Sequence, residues 1–177
     1  MATQLKPPVN NKDHIGLNKN ALLELVEYGD YECPDCRRAY ALIKKIRQKM
    51  GDDLKFVFRN FPLTEIHPNA INAALAAEAA ALQNKFWDMH DIIFQNQAHL
   101  KSEDLLFYAK TIQLDLNKFI SDFQEKALLA KVEADFESGI RSGVNATPTF
   151  FINGEKYNGA WDGNELIHYL ESKLSTA

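Results

Sequence analysis

Both cysteines of the chain, Cys33 and Cys36, stand two residues apart in YGDYECPDCRRAY, residues 28 to 40. No other feature restricts the fold as much, because the residues on each side demand different backbones. Upstream, ALLELVEY (21 to 28) is apolar or β-compatible at almost every position, the pattern of a strand buried on both faces in a parallel or mixed sheet. Downstream, PDCRRAYALIKKIRQKMG sets Cys36, Ala39, Tyr40, Ile43, Ile46 and Met50 on one helical stripe. Pro34 suits the first helical position and Gly51 the C-terminal cap. The cysteine pair therefore falls at a tight turn from a buried strand into a helix.

The rest of the chain extends this unit. LKFVFRNFP, 54 to 62, reads as a second strand stopped by Pro62, which makes the opening β-α-β. From about 64 to 143 the patterns are helical: HPNAINAALAAEAAALQ, FWDMHDIIFQNQ, SEDLLFYAKTIQ, DLNKFISDFQE and KALLAKVEADFESGIRSG, with Ser102 and Asp115 as expected N-caps. In the last of these, Leu128, Val132, Phe136 and Ile140 recur four apart. TFFINGEKYNGAW holds two short β runs around Asn153-Gly154, a strong hairpin turn, and NELIHYLESKL closes with a helix. The expected class is α/β with a mixed sheet, divided into an extended arm over 1–20, a sheet domain over 21–63 and 144–177, and an inserted all-helical subdomain over 64–143.

Composition narrows the function classes. A formal charge of −4 and no long basic run argue against nucleic acid as a partner. No stretch approaches the roughly 20 apolar residues of a membrane span, since the alanine-rich segment 70 to 82 is short and carries Glu78. The polar start, with Pro7 and Pro8 where a secretory signal needs an apolar core, makes the cytoplasm the expected compartment. There a C-x-x-C is kept reduced, so it reads as catalytic or metal-binding before it reads as a structural staple.

At the start of a helix, unpaired N–H groups and the macrodipole favour a thiolate on Cys33, the cap residue, and make it the attacking sulfur. Cys36, one turn inside at about 5 to 6 Å, is placed to resolve a mixed disulfide. Asp35 at roughly 7 Å costs the thiolate about 1 kcal/mol at an effective dielectric of about 40, which biases the couple toward reduction, while Arg37 pulls the other way. Glu27, six residues before Cys33 on the buried strand, is the candidate base for the Cys36 proton; Glu24 has the opposite parity. The competing readings of the cysteines are inert core thiols or half of a zinc site completed by a second chain, although His14, His67, His90, His99 and His168 show no ligand spacing. Phe86, Trp87, Phe94 and Phe107 read as core, His67 as a helix-start residue, His90 as packed within its helix, and Trp161 as a hairpin cap or an edge of the substrate groove.

The order of elements, the C-P-D-C turn and GVNATPTFFING together resemble the DsbA-like branch of the thioredoxin superfamily, over residues 14 to 174. The resemblance implies a thioredoxin-like fold with an inserted helical domain and a thiol-disulfide oxidoreductase that needs no bound cofactor. It implies that Pro148, after Thr147, is cis and holds substrate backbone against the cysteines, and that Glu27 is the family's buried acid. Pro34 and Asp35, between the cysteines, join Thr147 and Pro148 as expected substrate contacts. The implied partners are protein or peptide thiols and disulfides and a thiol reductant or redox partner protein. Strongly oxidising periplasmic members carry histidine where this chain has Asp35, and they carry a signal peptide, so the expected direction is reductase or isomerase. The alternatives are a non-enzymatic peptide-binding module of the same fold and a zinc-bridged dimer.

Overall fold

Two strands buried on both faces form the middle of the molecule. In the computed structural model, which describes residues 3–175, β2 (Leu23–Gly29) and β3 (Leu54–Asn60) run parallel, and β4 (Thr149–Ile152) lies antiparallel against β2 on its other side. An antiparallel strand β1 (His14–Leu17) beyond β3 and a two-residue β5 (Glu155–Lys156) beyond β4 complete a five-stranded sheet of order β1-β3-β2-β4-β5. The β4-β5 turn has positive φ at Asn153 (48°) and Gly154 (82°), as an Asn-Gly hairpin requires.

Helix α1 (Pro34–Met50) crosses from β2 to β3, and Gly51 ends it at φ 50°, where a β-carbon would be strained. Between β3 and β4 come α2 (Ala70–Ala81), α3 (Phe86–Gln95), α4 (Ser102–Thr111), α5 (Leu116–Phe123) and α6 (Lys126–Arg141), one for each helical pattern; α7 (Glu165–Leu174) closes the chain. Among the described residues no helix is long and apolar enough to cross a membrane.

Strand alternation divides β2 between two layers. Leu23 and Leu25 face a core shared with Cys36, Ile43 and Ile46 of α1 and Leu166 and Leu170 of α7, and this core runs on into the alanines of α2. Val26 and Tyr28 face a smaller core with Val57, Phe61, Val144 and Phe151. Helix α6 covers that second face: a β-carbon on Gly139 would stand 2.6 Å from the Phe61 ring, and Ser138 Oγ lies 2.7 Å from Tyr28 Oη. The last helix of the insert is thus also a layer of the sheet.

The structure departs from the sequence pattern at identifiable points. The 1–20 segment, expected as an arm outside the ordered domain, borders both sheet edges: His14–Leu17 pairs with β3, and the Leu5 amide donates to Gly154 O at 2.8 Å. Gly16 permits this pairing, since a β-carbon there would meet the Trp87 ring at 3.1 Å. Ser102 is the first helical residue of α4 and not its cap; Lys101 is the cap, and its amide donates to the Asp104 carboxylate at 3.0 Å. Asp115 does cap α5, accepting from Lys118 N at 3.0 Å. Phe107, read as core, is 64% exposed, because α4 turns Leu105 and Tyr108 inward; in α6, where Ile140 of the four-residue spacing is 55% exposed, Asp135 and Ser138 are buried.

Arg59 of β3 is buried and held by both carboxylate oxygens of Asp13, at 2.8 and 2.9 Å, by the carbonyls of Pro7 and Pro8, and by Tyr28 Oη. Removing one member of a buried pair leaves an uncompensated charge. Asp13→Ala is expected to lower the unfolding free energy by about 3 kcal/mol or more in urea titrations; a loss within about 0.5 kcal/mol, usual for a surface site, would show that the arm is not anchored this way.

Candidate functional site

Strand β2 stops at Gly29 and the chain turns through Asp30 to Cys33 into α1. The Asp30 side chain is fully buried and organises this turn. Its Oδ1 accepts from Glu32 N at 2.7 Å, while Oδ2 accepts from Leu63 N at 2.8 Å and lies 2.8 Å from His67 Nδ1. The Asp30 carbonyl accepts from Cys33 N at 3.1 Å. The helical block holds the same turn from above: Gln97 Nε2 donates to the carbonyls of Tyr31 and Cys33 at 2.9 and 2.7 Å, and the Glu32 carboxylate accepts from the amide and side chain of Asn69. Tyr31 packs with Phe58 and Phe94 and lies 3.0 Å from His90 Nδ1. Burial pushes His90 down to about 3, so this ring is neutral at pH 7.

Cys33 is the N-cap of α1, with extended backbone, and Pro34 follows in the first turn, so the helix begins at the sulfur. Its Sγ lies 3.5 Å from the carbonyl oxygen of Thr147, and the Thr147–Pro148 peptide bond is cis. The loop before β4 and the start of α1 are thereby brought together from residues more than a hundred positions apart. The Cys33 thiol is held down to about 5: the hydrogen bond from the Cys36 thiol contributes most, burial opposes it, and the backbone N–H groups of Cys36 and Asp35 assist.

Cys36 carries the opposite shift. Burial, the bond it donates to Cys33 and the negative charges of Glu27 and Cys33 raise its pKa well above that of a free thiol, against one favourable contact, the Asp30 N–H at 3.4 Å. Cys33 keeps 7% of its surface exposed and Cys36 none, so only the first sulfur can be reached from outside. At pH 7 the pair holds one thiolate and one thiol.

Glu27 lies on the β2 face that carries Leu25, toward the cysteines, and is buried. Its Oε1 finds no hydrogen-bond partner and lies 3.2 Å from where a β-carbon on Gly29 would stand, one residue before the Asp30 amide that meets Cys36. Burial first, and the Cys33 charge second, push Glu27 up to about 8. Glu24, on the opposite face, pairs with Lys55 at 3.0 Å. The Asp35 carboxylate turns to solvent, where Arg38 Nη2 meets it at 2.9 Å; Arg37, expected from the sequence to favour the Cys33 thiolate, is exposed. The Arg38 guanidinium lies 5.4 Å from the centre of the Trp161 ring, which also neighbours Phe150 and stands at the rim of this region.

Cys33, Cys36, Glu27, Thr147 and Pro148 therefore converge, with Pro34 and Asp35 in the first turn beside them. Asp30, Glu32, Asn69 and Gln97 complete the setting and were not singled out in the sequence. Asp30 had a readable signal, a short polar side chain just after a strand, as in an Asx-turn; Gln97 had none. Among the described residues no three His, Cys, Asp or Glu side chains gather where a metal ion could sit. Alkylation of the reduced protein with iodoacetamide should modify Cys33 at a rate that falls as pH drops through about 5, with Cys36 protected; a midpoint near the ordinary thiol value of about 8.5 would contradict the geometry.

The sequence model of the thioredoxin family matches residues 10–172. Among curated relatives, the Na(+)/H(+) antiporter NhaA 1 of Mycolicibacterium vanbaalenii is 43% identical over 170 residues, 95% of this chain and 28% of that protein. NhaA of Herminiimonas arsenicoxydans is 41% identical over 169 residues, 95% and 27% of the two chains. The chain thus spans little more than a quarter of the length of these relatives. Of solved structures, oxidised BdbD from Bacillus subtilis superposes with a TM-score of 0.84 at 24% identity, covering 99% of this chain and 98% of the other. The thiol-disulfide exchange protein alpha-DsbA2 from Wolbachia pipientis gives 0.82 at 22% identity, with 93% and 88% covered. With its C-x-x-C turn, mixed sheet and helical insert, the chain belongs to the thioredoxin family and has the DsbA-like form of its fold.

Proposed function

We propose that the protein exchanges a Cys33–Cys36 dithiol/disulfide with protein thiols and disulfides, in the reductase or isomerase direction. The observation that carries this reading is the divided pair: a thiolate on the reachable sulfur, stabilised by a thiol on the unreachable one, beside the backbone of a cis-Pro148 loop. The Cys33 thiolate attacks a substrate disulfide; one substrate sulfur leaves as thiolate and a mixed disulfide forms. Cys36 then passes its proton to Glu27 and attacks Cys33 Sγ, the Cys33–substrate bond breaks, and the second substrate sulfur leaves. Thr147 and Pro148 position the substrate chain, and Pro34 and Asp35 line its approach.

Glu27 changes role with the state of Cys33. While Cys33 is anionic its charge helps hold the proton on Glu27; once Cys33 is a mixed disulfide that charge is gone, and Glu27 becomes the stronger acid when a carboxylate is required as base. Direction follows from thiolate energetics. Stabilising the Cys33 thiolate stabilises the reduced form, which works against a strongly reducing couple, while burial of Cys36 restrains the shift. An intermediate potential suits isomerisation best.

Dithiothreitol-driven reduction of insulin is expected to run well above background with the parent protein and at background with Cys33→Ser, and Cys36→Ser should accumulate mixed disulfides. No acceleration by the parent, with no loss on Cys33→Ser, would favour a peptide-binding module without redox turnover. Glu27 adds a stability signature: between its ordinary 4.5 and about 8 the folded protein keeps a proton that the unfolded chain has lost, so its contribution falls as pH rises through that window. Glu27→Gln is expected to be more stable than the parent at pH 7 by up to about 3 kcal/mol, at 1.36 kcal/mol per pKa unit, to match it near pH 4, and to resolve mixed disulfides more slowly. Equal stability at both pH values would remove the buried-acid account.

A further inference from the structure

Cys36 poses the harder half of the exchange. Its sulfur must become an anion while fully buried and within the field of Glu27, and the Asp30 N–H, 3.4 Å away, is the backbone donor directed at it. We propose that Asp30 and His67 form a positioning pair for the resolving step, keeping that amide on the Cys36 sulfur while it attacks. The inference rests on the exchange chemistry proposed above and names two residues that this chemistry does not yet use.

A backbone N–H assists a developing anion only if it is aimed before the charge arrives. Asp30 is aimed by its own side chain, which accepts from Glu32 N, Leu63 N and His67 Nδ1, while its carbonyl receives Cys33 N. One residue thus touches both cysteines through its backbone and the segment after β3 through its carboxylate. That carboxylate, with no exposed surface, has a disadvantage: left unanswered, its negative charge would oppose an anion on Cys36. His67 supplies the answer, donating from Nδ1 at 2.8 Å with a ring that is 16% exposed. The Leu63 amide and the His67 ring both come from the short segment between Pro62 and Pro68, so the pair also ties the turn to the entrance of α2.

The two halves of the reaction separate with glutathione disulfide as the probe. In the first, Cys33 takes one glutathione and releases the other as thiolate; in the second, the Cys33–Cys36 bond forms and the bound glutathione leaves. Quenched-flow mass spectrometry times each step. His67→Ala is expected to slow release of the bound glutathione about tenfold, the scale of one hydrogen bond to a charged group, while changing the first step far less. His67→Asn, whose amide can donate from the Nδ1 position, should recover most of the release rate. Release at the parent rate in His67→Ala, equal slowing of both steps, or no recovery in His67→Asn would overturn the pair's role. A parent protein that forms the mixed disulfide and never releases the second glutathione would instead overturn the exchange reading, and the pair with it.

Discussion

The pairing of a reachable Cys33 with a fully buried Cys36 at the first turn of α1 is the constraint on which the rest of the site depends. Hydrogen bonding from Cys36 brings the Cys33 thiol down to about 5, whereas burial first and that bond second push Cys36 well above a free thiol. The fold sets the pair up by two means: a strand buried on both faces ends at Gly29, and a helix starts at Cys33 with the Asp35 and Cys36 amides assisting its sulfur. The loop before β4 brings an acceptor, the Thr147 carbonyl, to the Cys33 thiol at 3.5 Å.

Placing this chemistry at the end of a buried strand puts polar groups where burial disfavours charge. Glu27 responds by keeping its proton to about 8, whereas Asp30, equally buried, has its oxygens fully bonded. Their hydrogen bonding differs: Glu27 Oε1 has no partner, whereas the Asp30 carboxylate meets three nitrogens that hold its turn. Two carboxylates on adjacent stretches of one strand and its turn therefore do different work without any difference in burial.

Much of this was legible in the sequence, and the limits have physical causes. Buried strands and helical stripes are local patterns, so β2, β3, the hairpin and the helices could be read, and with them the positions of Cys33, Cys36 and Glu27. Strand β1 could not: four residues in a polar segment carry no period, and its place depends on Gly16 fitting against Trp87. The four-residue spacing of α6 does not mark its buried face at Ile140, since that face is set by the sheet beneath it and takes in Ser138 and Gly139. The pairing of Arg38 with Asp35, three residues apart on one face of α1, was not drawn from the sequence. The ties from Asp30 to His67 and from Gln97 to Cys33 join distant segments and have no sequence signature, because only the folded chain brings them together.

If the paired sulfurs are as described, reduction should be favoured by the stabilised thiolate and limited by the burial of its partner, which places the couple between the extremes of the family. The reduction potential of Cys33–Cys36, measured by equilibration with glutathione buffers at pH 7, tests this most directly. The account predicts a value near the isomerase range, about −180 mV. A value at or below about −270 mV would show that the Cys33 thiolate gains nothing from its surroundings, and one at or above about −120 mV would show that nothing restrains it; either result would contradict the central claim.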